Sequence, residues 1–307
     1  MSEPVAEVVR SGFVESVHHG SLVVLDTDGA VSLSVGDVTS PIFPRSSNKP
    51  VQALAMTRAG LLLDGELLAL ASASHSGEAF HLEGVRRILA SAGLEESSLQ
   101  NTPDLPFDPA ERRAWLTAGR SPSSVAQNCS GKHAAMLATC VAAGWDTATY
   151  RDPAHPLQQL VAGTLAELAG EPVAATGVDG CGAPVMAVSL TGLARAFAAL
   201  ATTANPVASA IRAHPRWLGG TNRDVSDLIE GVPGLIAKDG AEAVYAAALP
   251  DGRAVAVKIA DGGTRAAPVV LAAGLRAAGV EAAVLDQLAE APVLGHGEVV
   301  GAVRALL

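Results

Sequence analysis

The chain has 307 residues, 49 % apolar and 17 % charged, which suits a folded globular protein of one large or two modest domains. A net charge of −10 and an aromatic content of 3 % argue against nucleic acid or an anionic membrane as partner and favour a small molecule. Three cysteines, an odd number, do not make a disulfide framework, so a reducing cytoplasm is the expected location.

The opening MSEPVAEVVR lacks a basic stretch followed by an apolar run, so no signal peptide is expected. No run of about 18 apolar residues is free of charges and turn formers, so no membrane-spanning helix is expected either. The first recognisable unit is GFVESVHHGSLVVLDTDGAVSLSVGD, two apolar runs around Asp28-Gly29, which reads as a hairpin. From Lys49 to about Thr203 the periodicity is mostly helical. PVQALAMTRAG, GELLALASAS, HLEGVRRILASAG, AERRAWLTAG, GKHAAMLATCVAAG and LQQLVAGTLAELAG each end at or near a small residue. Strands return in AEAVYAAALPDGRAVAVKIADG, with Pro250-Asp251-Gly252 as the turn. Two Ala-rich helices and a closing strand, EVVGAVRALL, follow. Strands at both ends with helices between them predict an α+β fold, one antiparallel sheet built from both termini. The expectation is a single unit over 1–307, with strands at about 5–36 and 242–307 and a helical lobe at about 49–203.

Several stretches carry reactive side chains. In PRSSNKPVQALA, Ser46 and Lys49 lie one helical turn apart, before a pattern with Pro50 in its first turn. A neutral lysine can take a serine proton, and a nearby cation such as Arg45 favours the neutral form. The plainer reading is a helix start with Ser47 as cap and Lys49 in solvent. ASASHSGEAFH places Ser74 and His75 in a polar loop that lines a cleft or merely caps the next helix through Ser76 or Glu78. NCSGKHAAML concentrates Cys129, Ser130, Lys132 and His133. It is not a phosphate loop, because Ala126 stands where the first glycine belongs and His133 replaces Ser or Thr. Alone it offers a metal two ligands at most, and Ser130 reads as a helix cap. TGVDGCGAPV sets Asp179 and Cys181 among glycines that permit close backbone approach, or simply a tight turn. Cys140 falls in an apolar helical pattern and reads as core. Lys258, flanked by Val257 and Ile259, is either an edge-strand lysine or an amine aimed into a cleft.

In order, V-E-S-x-H, R-S-x-x-K-P, A-S-H-S-G-E, N-C-S-G-K-H, D-G-C-G-x-P and V-K-I-x-D-G closely resemble the asparaginase II family, the rhizobial type of L-asparaginase. The resemblance runs from about Glu7 to Gly263 and loosely beyond. It implies a fold like the serine β-lactamases and glutaminases, and hydrolysis of L-asparagine to L-aspartate and ammonia by serine–lysine chemistry. Carried over by motif, Ser46 and Lys49 correspond to one dyad and Ser74 and Lys258 to a second. Cys129, Lys132 and Cys181 correspond to a zinc site, and Arg45, His133 and Asp179 fall among the groups around the substrate. A homodimer is implied as well. The segment GGTNRDVSD departs from the family's usual Gly-Arg-Phe or Gly-Arg-Tyr. The resemblance leaves open which serine attacks; Ser46 is preferred because its lysine is one turn away. The competing expectations are a glutaminase or other Ser-Lys amidohydrolase, and a non-catalytic zinc- or amino-acid-binding protein.

Overall fold

A computed structural model describes residues 2–307. Its larger sheet is antiparallel throughout. It is built from β1 (Glu3–Arg10), β2 (Phe13–Leu25), β3 (Val31–Val35) and, after short β4 (Pro41–Ile42), β5 (Ala175–Val178) and β6 (Pro184–Ser189) that form a separate small sheet, from β7 (Ile236–Gly240), β8 (Val244–Ala248), β9 (Ala254–Ile259), β10 (Glu290–Gly295) and β11 (Glu298–Ala305). The order across the larger sheet is β10-β11-β1-β2-β9-β8-β7. Both chain ends therefore lie side by side, with Val8 opposite Val303. This is the α+β arrangement the sequence predicts.

β2 is the axis of the sheet. Its first half, Phe13–Gly20, pairs with β1, and Leu22–Leu25 pairs with β3 on that same edge. β9 runs along the other edge. The stretch Gly20–Leu25 is buried without alternation, so both faces of the sheet are covered there. Helices Leu190–Thr202 and Ala267–Ala277 pack against these central strands. Gly274 is the point of closest approach, since a Cβ there would lie 2.7 Å from Val255 and 2.9 Å from Leu22. A core of Ala, Leu and Val substitutes for the missing aromatics.

The helices expected from periodicity are present at Lys49–Arg58, Gly65–Ala71, Ala79–Ser91, Pro109–Thr117, Ser130–Ala143 and Pro156–Ala169. Caps are where the reading fails. Ser47 does not cap the first of these; its hydroxyl donates to Pro44 O, and Asn48 occupies the cap position. Ser130 lies inside the helix start, and its hydroxyl donates to Val125 O. Glu78 precedes the helix Ala79–Ser91 but makes no cap hydrogen bond; it binds Thr221 instead.

The expected boundaries also shift. The middle region is not purely helical, because β5 and β6 interrupt it. The closing set of strands begins at Ile236 rather than near 242. Gly240 is the last residue of this strand, and its lack of a side chain lets other backbone pass close by. A Cβ there would meet Pro44 O at 2.8 Å and Ser47 N at 2.9 Å. This contact presses β7, the free edge of the sheet, onto the 3₁₀ turn Arg45–Asn48 that carries Ser46. No helix among the described residues is long and apolar enough to cross a membrane.

Candidate active site

Lys49 is the centre of the site. It is 1 % exposed, and its Nζ lies 2.6 Å from Ala73 O, 3.0 Å from Ser74 Oγ and 3.1 Å from Cys129 Sγ. Three polar neighbours match the three protons of an ammonium, and a neutral amine keeps the same contacts by accepting from the hydroxyl or thiol. Either way, Lys49 is joined to Ser74 rather than to Ser46. Ser46 sits half-buried on the turn before it, and its hydroxyl makes no hydrogen bond among the described residues. Arg45, just before it, has φ = 53°, a left-handed conformation that strains a residue with a Cβ.

Ser74 lies in an extended loop fixed on several sides. Ser74 N donates to Leu218 O, His75 N to Asn128 O and Ser76 N to Gly219 O. His75 Nε2 meets Ser130 Oγ at 2.8 Å, so Ser130 ties this loop to the Cys129 helix. Burial, with His81, Lys49 and Arg223 adding to it, pushes the His75 ring well below its ordinary value and keeps it neutral.

Lys258 is not brought to Ser74. Its Nζ donates to Glu242 O and Ile259 O. It stands on β9, with β8 between it and β7, about 10 Å of sheet from the edge that forms the site. The amine at that edge is Lys238, which the sequence reading missed. Lys238 is fully buried, bonded to its neighbour's carboxylate, Asp239, and to Asp239 O at 2.7 Å. Burial pulls it down to about 8, opposed by Asp239 and reinforced by Lys49. The signal was a Lys-Asp-Gly whose glycine marks a close backbone approach.

Arg45 and Asp179, placed separately around the substrate by resemblance, form an ion pair at 2.8 Å. Arg45 is thus held by Asp179, with Glu242 further off at 3.9 Å. Burial opposes ionisation of Asp179, but Lys132 and Arg45 outweigh it and hold the carboxyl below its ordinary value. His133 is buried, with Nδ1 2.7 Å from the Tyr150 hydroxyl and Nε2 without a partner.

Cys129, Lys132 and Cys181 do converge. All three are buried, and Lys132 Nζ donates to Cys181 Sγ at 3.2 Å. The neighbouring Cys129, with Lys132, pulls Cys181 down to about 4, while Cys181 and burial push Cys129 up. Burial opposes the charge on Lys132, but the Cys181 and Cys129 sulfurs raise it above the ordinary lysine value. Among the described residues no three His, Cys, Asp or Glu side chains are grouped to hold a metal. A metal here would depend on the lysine amine. Two sulfurs and an amine suit a soft divalent cation such as zinc once Cys129 and Lys132 give up their protons. Gly131, between them, serves packing: a Cβ there would lie 2.4 Å from Leu70 O.

No curated protein matches this sequence. Among solved structures, a β-lactamase from Mycobacterium bovis, Mb2281c, aligns at 15 % identity over 85 % of this chain and 95 % of its own, with a TM-score of 0.45. A putative β-lactamase from Bacteroides dorei aligns at 13 % identity over 84 % and 93 %, with a TM-score of 0.42. The structure of Mglu in its native form aligns at 15 % over 83 % and 62 %, with a TM-score of 0.41. The family model described as L-asparaginase II matches residues 6–305, nearly the whole chain. The chain belongs to the L-asparaginase II family.

Proposed function

We propose that this protein is an L-asparagine amidohydrolase that releases L-aspartate and ammonia through an acyl-enzyme on Ser46. The observation that carries this reading is the buried Lys49 amine, 3.0 Å from Ser74 Oγ and one turn beyond an unengaged Ser46. Ser46 is the more accessible of the two serines, since Ser74 is only 5 % exposed. In this scheme Ser46 Oγ attacks the carboxamide carbon and its proton passes to Lys49. Lys49 returns the proton through Ser74 to the departing nitrogen, and water then releases aspartate. Lys238 takes the place that resemblance assigned to Lys258. Both amines are hydrogen-bonded, Lys258 to two carbonyls and Lys238 to Asp239, and Lys238 is favoured because Asp239 is tied through Arg223 to the Ser74 loop.

The Lys49–Ser74 hydrogen bond favours one alternative assignment, attack by Ser74. Trapping the acyl-enzyme and locating it by peptide mass mapping separates the two: label on the peptide containing Ser46 supports the scheme, and label on Ser74 reverses the roles. Parallel assays with asparagine, glutamine and a chromogenic β-lactam test the substrate. Failure to release ammonia from any amide would leave the non-catalytic binding protein.

Asp179 is assigned the substrate ammonium, and Arg45, its ion-pair partner, the substrate carboxylate. Asp179→Asn should raise KM by at least about tenfold and, because it breaks the ion pair with Arg45, lower thermal stability as well. An unchanged KM in steady-state assays would remove Asp179 from the site.

Cys129, Lys132 and Cys181 would hold zinc, which in a two-thiolate site carries little free charge and serves to order the groups around it. Cys129 adjoins Lys49 directly, so the metal site and the proton-transfer site share a wall. Because Cys129 and Lys132 hold protons that a metal must displace, zinc affinity should rise with pH. Calorimetric titration in buffers of different ionisation enthalpy should register proton release on binding. No buffer dependence would argue against this donor set. Chelation should weaken substrate affinity or stability more than it lowers kcat. We further propose a homodimer, as the family resemblance implies, and a cytoplasmic location, as the odd cysteine count suggests; sedimentation tests the first.

A further inference from the structure

The segment that departs from the family pattern, Gly219 to Asp224, forms one wall of the site. It runs beside the Ser74 loop, taking hydrogen bonds from Ser74 N at Leu218 O, 3.1 Å, and from Ser76 N at Gly219 O, 2.8 Å. Gly220 is pressed so closely that a Cβ would lie 2.0 Å from Ser76 Oγ. Arg223 then reaches across. Its Nη1 donates to Ser74 O at 3.1 Å and its Nη2 to Asp239 Oδ2 at 2.6 Å. Asp239 in turn holds Lys238. The guanidinium lies 4.7 Å from the centre of the Phe107 ring, and the side chain is only 11 % exposed.

We propose that Arg223 is a positioning residue for the reaction, a rigid strut that fixes the Ser74 loop at a set distance from the Lys238 strand. This rests on the Ser-Lys amidohydrolase reading above. Two independent pieces of chain carry the proton-transfer groups: the Ser74 loop, and edge strand β7. Sheet hydrogen bonds do not set the distance between them. The planar fork of an arginine does, because two of its nitrogens bind partners on opposite sides in fixed directions. A lysine amine, a point charge on a flexible stem, cannot reproduce both bonds. Phe107 stacks on the guanidinium and helps fix its plane.

The test uses the full-length protein and L-asparagine. In Arg223→Ala, kcat should fall about 100-fold with KM changed little, the scale on which a misplacement of about 1 Å costs rate. Arg223→Lys should recover only part of the loss. A cavity of about 240 Å³, lined by Phe107, Arg223, Asp239, Gly240 and Tyr245 among others, adjoins the removed side chain. Guanidinium chloride at about tens of millimolar should therefore restore kcat in Arg223→Ala, and sodium chloride should not. An unchanged kcat, a loss carried by KM, or no recovery with guanidinium would overturn the proposal. If the wild type releases no ammonia, the amidohydrolase reading fails instead. Hydrogen exchange at the Ser74 and Ser76 amides then decides the strut: faster exchange in Arg223→Ala than in the wild type supports it, and equal exchange removes it.

Discussion

Replacing Ser46 with alanine should lower ammonia release from L-asparagine by roughly 10⁴-fold or more, the scale of loss seen when a nucleophile is removed from an acyl-transfer site. Folding should be almost unaffected. The lost hydroxyl makes no hydrogen bond, and the residue is half-buried on a turn, so the stability change should stay within about 0.5 kcal/mol. Ser74→Ala should behave differently. It removes a partner from the buried Lys49 amine and breaks the route to the leaving nitrogen. Its rate loss should be about 10²–10⁴-fold, typical of a proton-transfer group. It should also lower the melting temperature, because the buried Lys49 amine loses one of its hydrogen-bond partners. Rate and stability measured on both variants give a clear pattern. Near-normal turnover in Ser46→Ala would end the proposed mechanism.

The second large effect separates two lysines. Lys238→Met should cost about 10²-fold or more in kcat/KM, while Lys258→Met should stay within a few-fold of the wild type. Lys258 lies two strands in from the β7 edge, with its amine on Glu242 O and Ile259 O. Equal losses in the two variants would restore the assignment made by resemblance. Lys238 also leaves a thermodynamic mark. Its folded value of about 8 lies below the ordinary 10.5, so the unfolded chain binds the proton more tightly. The stabilising contribution of the neutral amine is complete above about pH 10.5 and is lost as pH falls through about 8. Wild-type stability should therefore rise between these values by roughly 3 kcal/mol relative to Lys238→Met. Denaturant unfolding of both proteins across that range reads the difference directly. A parallel pH dependence in the two would show that Lys238 is not depressed.

Much of the fold was legible because it is written in local pattern. The Asp28-Gly29 turn, the helical periodicity from Lys49 onward and the Pro250-Asp251-Gly252 turn each depend on neighbours in sequence. The start of β7 was not legible. The sequence reading opened this strand set near 242, and only the tertiary structure shows β7 running from Ile236 to Gly240, its last residue lying against the backbone of Pro44 and Ser47. Caps failed for a related reason. Ser47, Ser130 and Glu78 have the right chemistry for a helix end, but other partners take them: Ser47 turns back to Pro44 O, Ser130 meets His75, and Glu78 meets Thr221.

The site shows the same division. The residue types in order along the chain named the family and its reactive groups, including the pair of thiols and the lysine that converge from Cys129 to Cys181. Which amine serves which serine was beyond that reading. Ser46 and Lys49 are one turn apart in sequence, yet Lys49 extends to Ser74, 25 residues onward. Arg45 and Asp179, read as separate substrate groups, bind each other across 134 residues. Sequence by itself determined the family and most of the local elements, since both depend on side-chain type in order and short-range periodicity, but it did not single out Lys238. Tertiary structure alone decided the pairings, because a buried charge takes whichever partner the packing of strands and loops brings within about 3 Å.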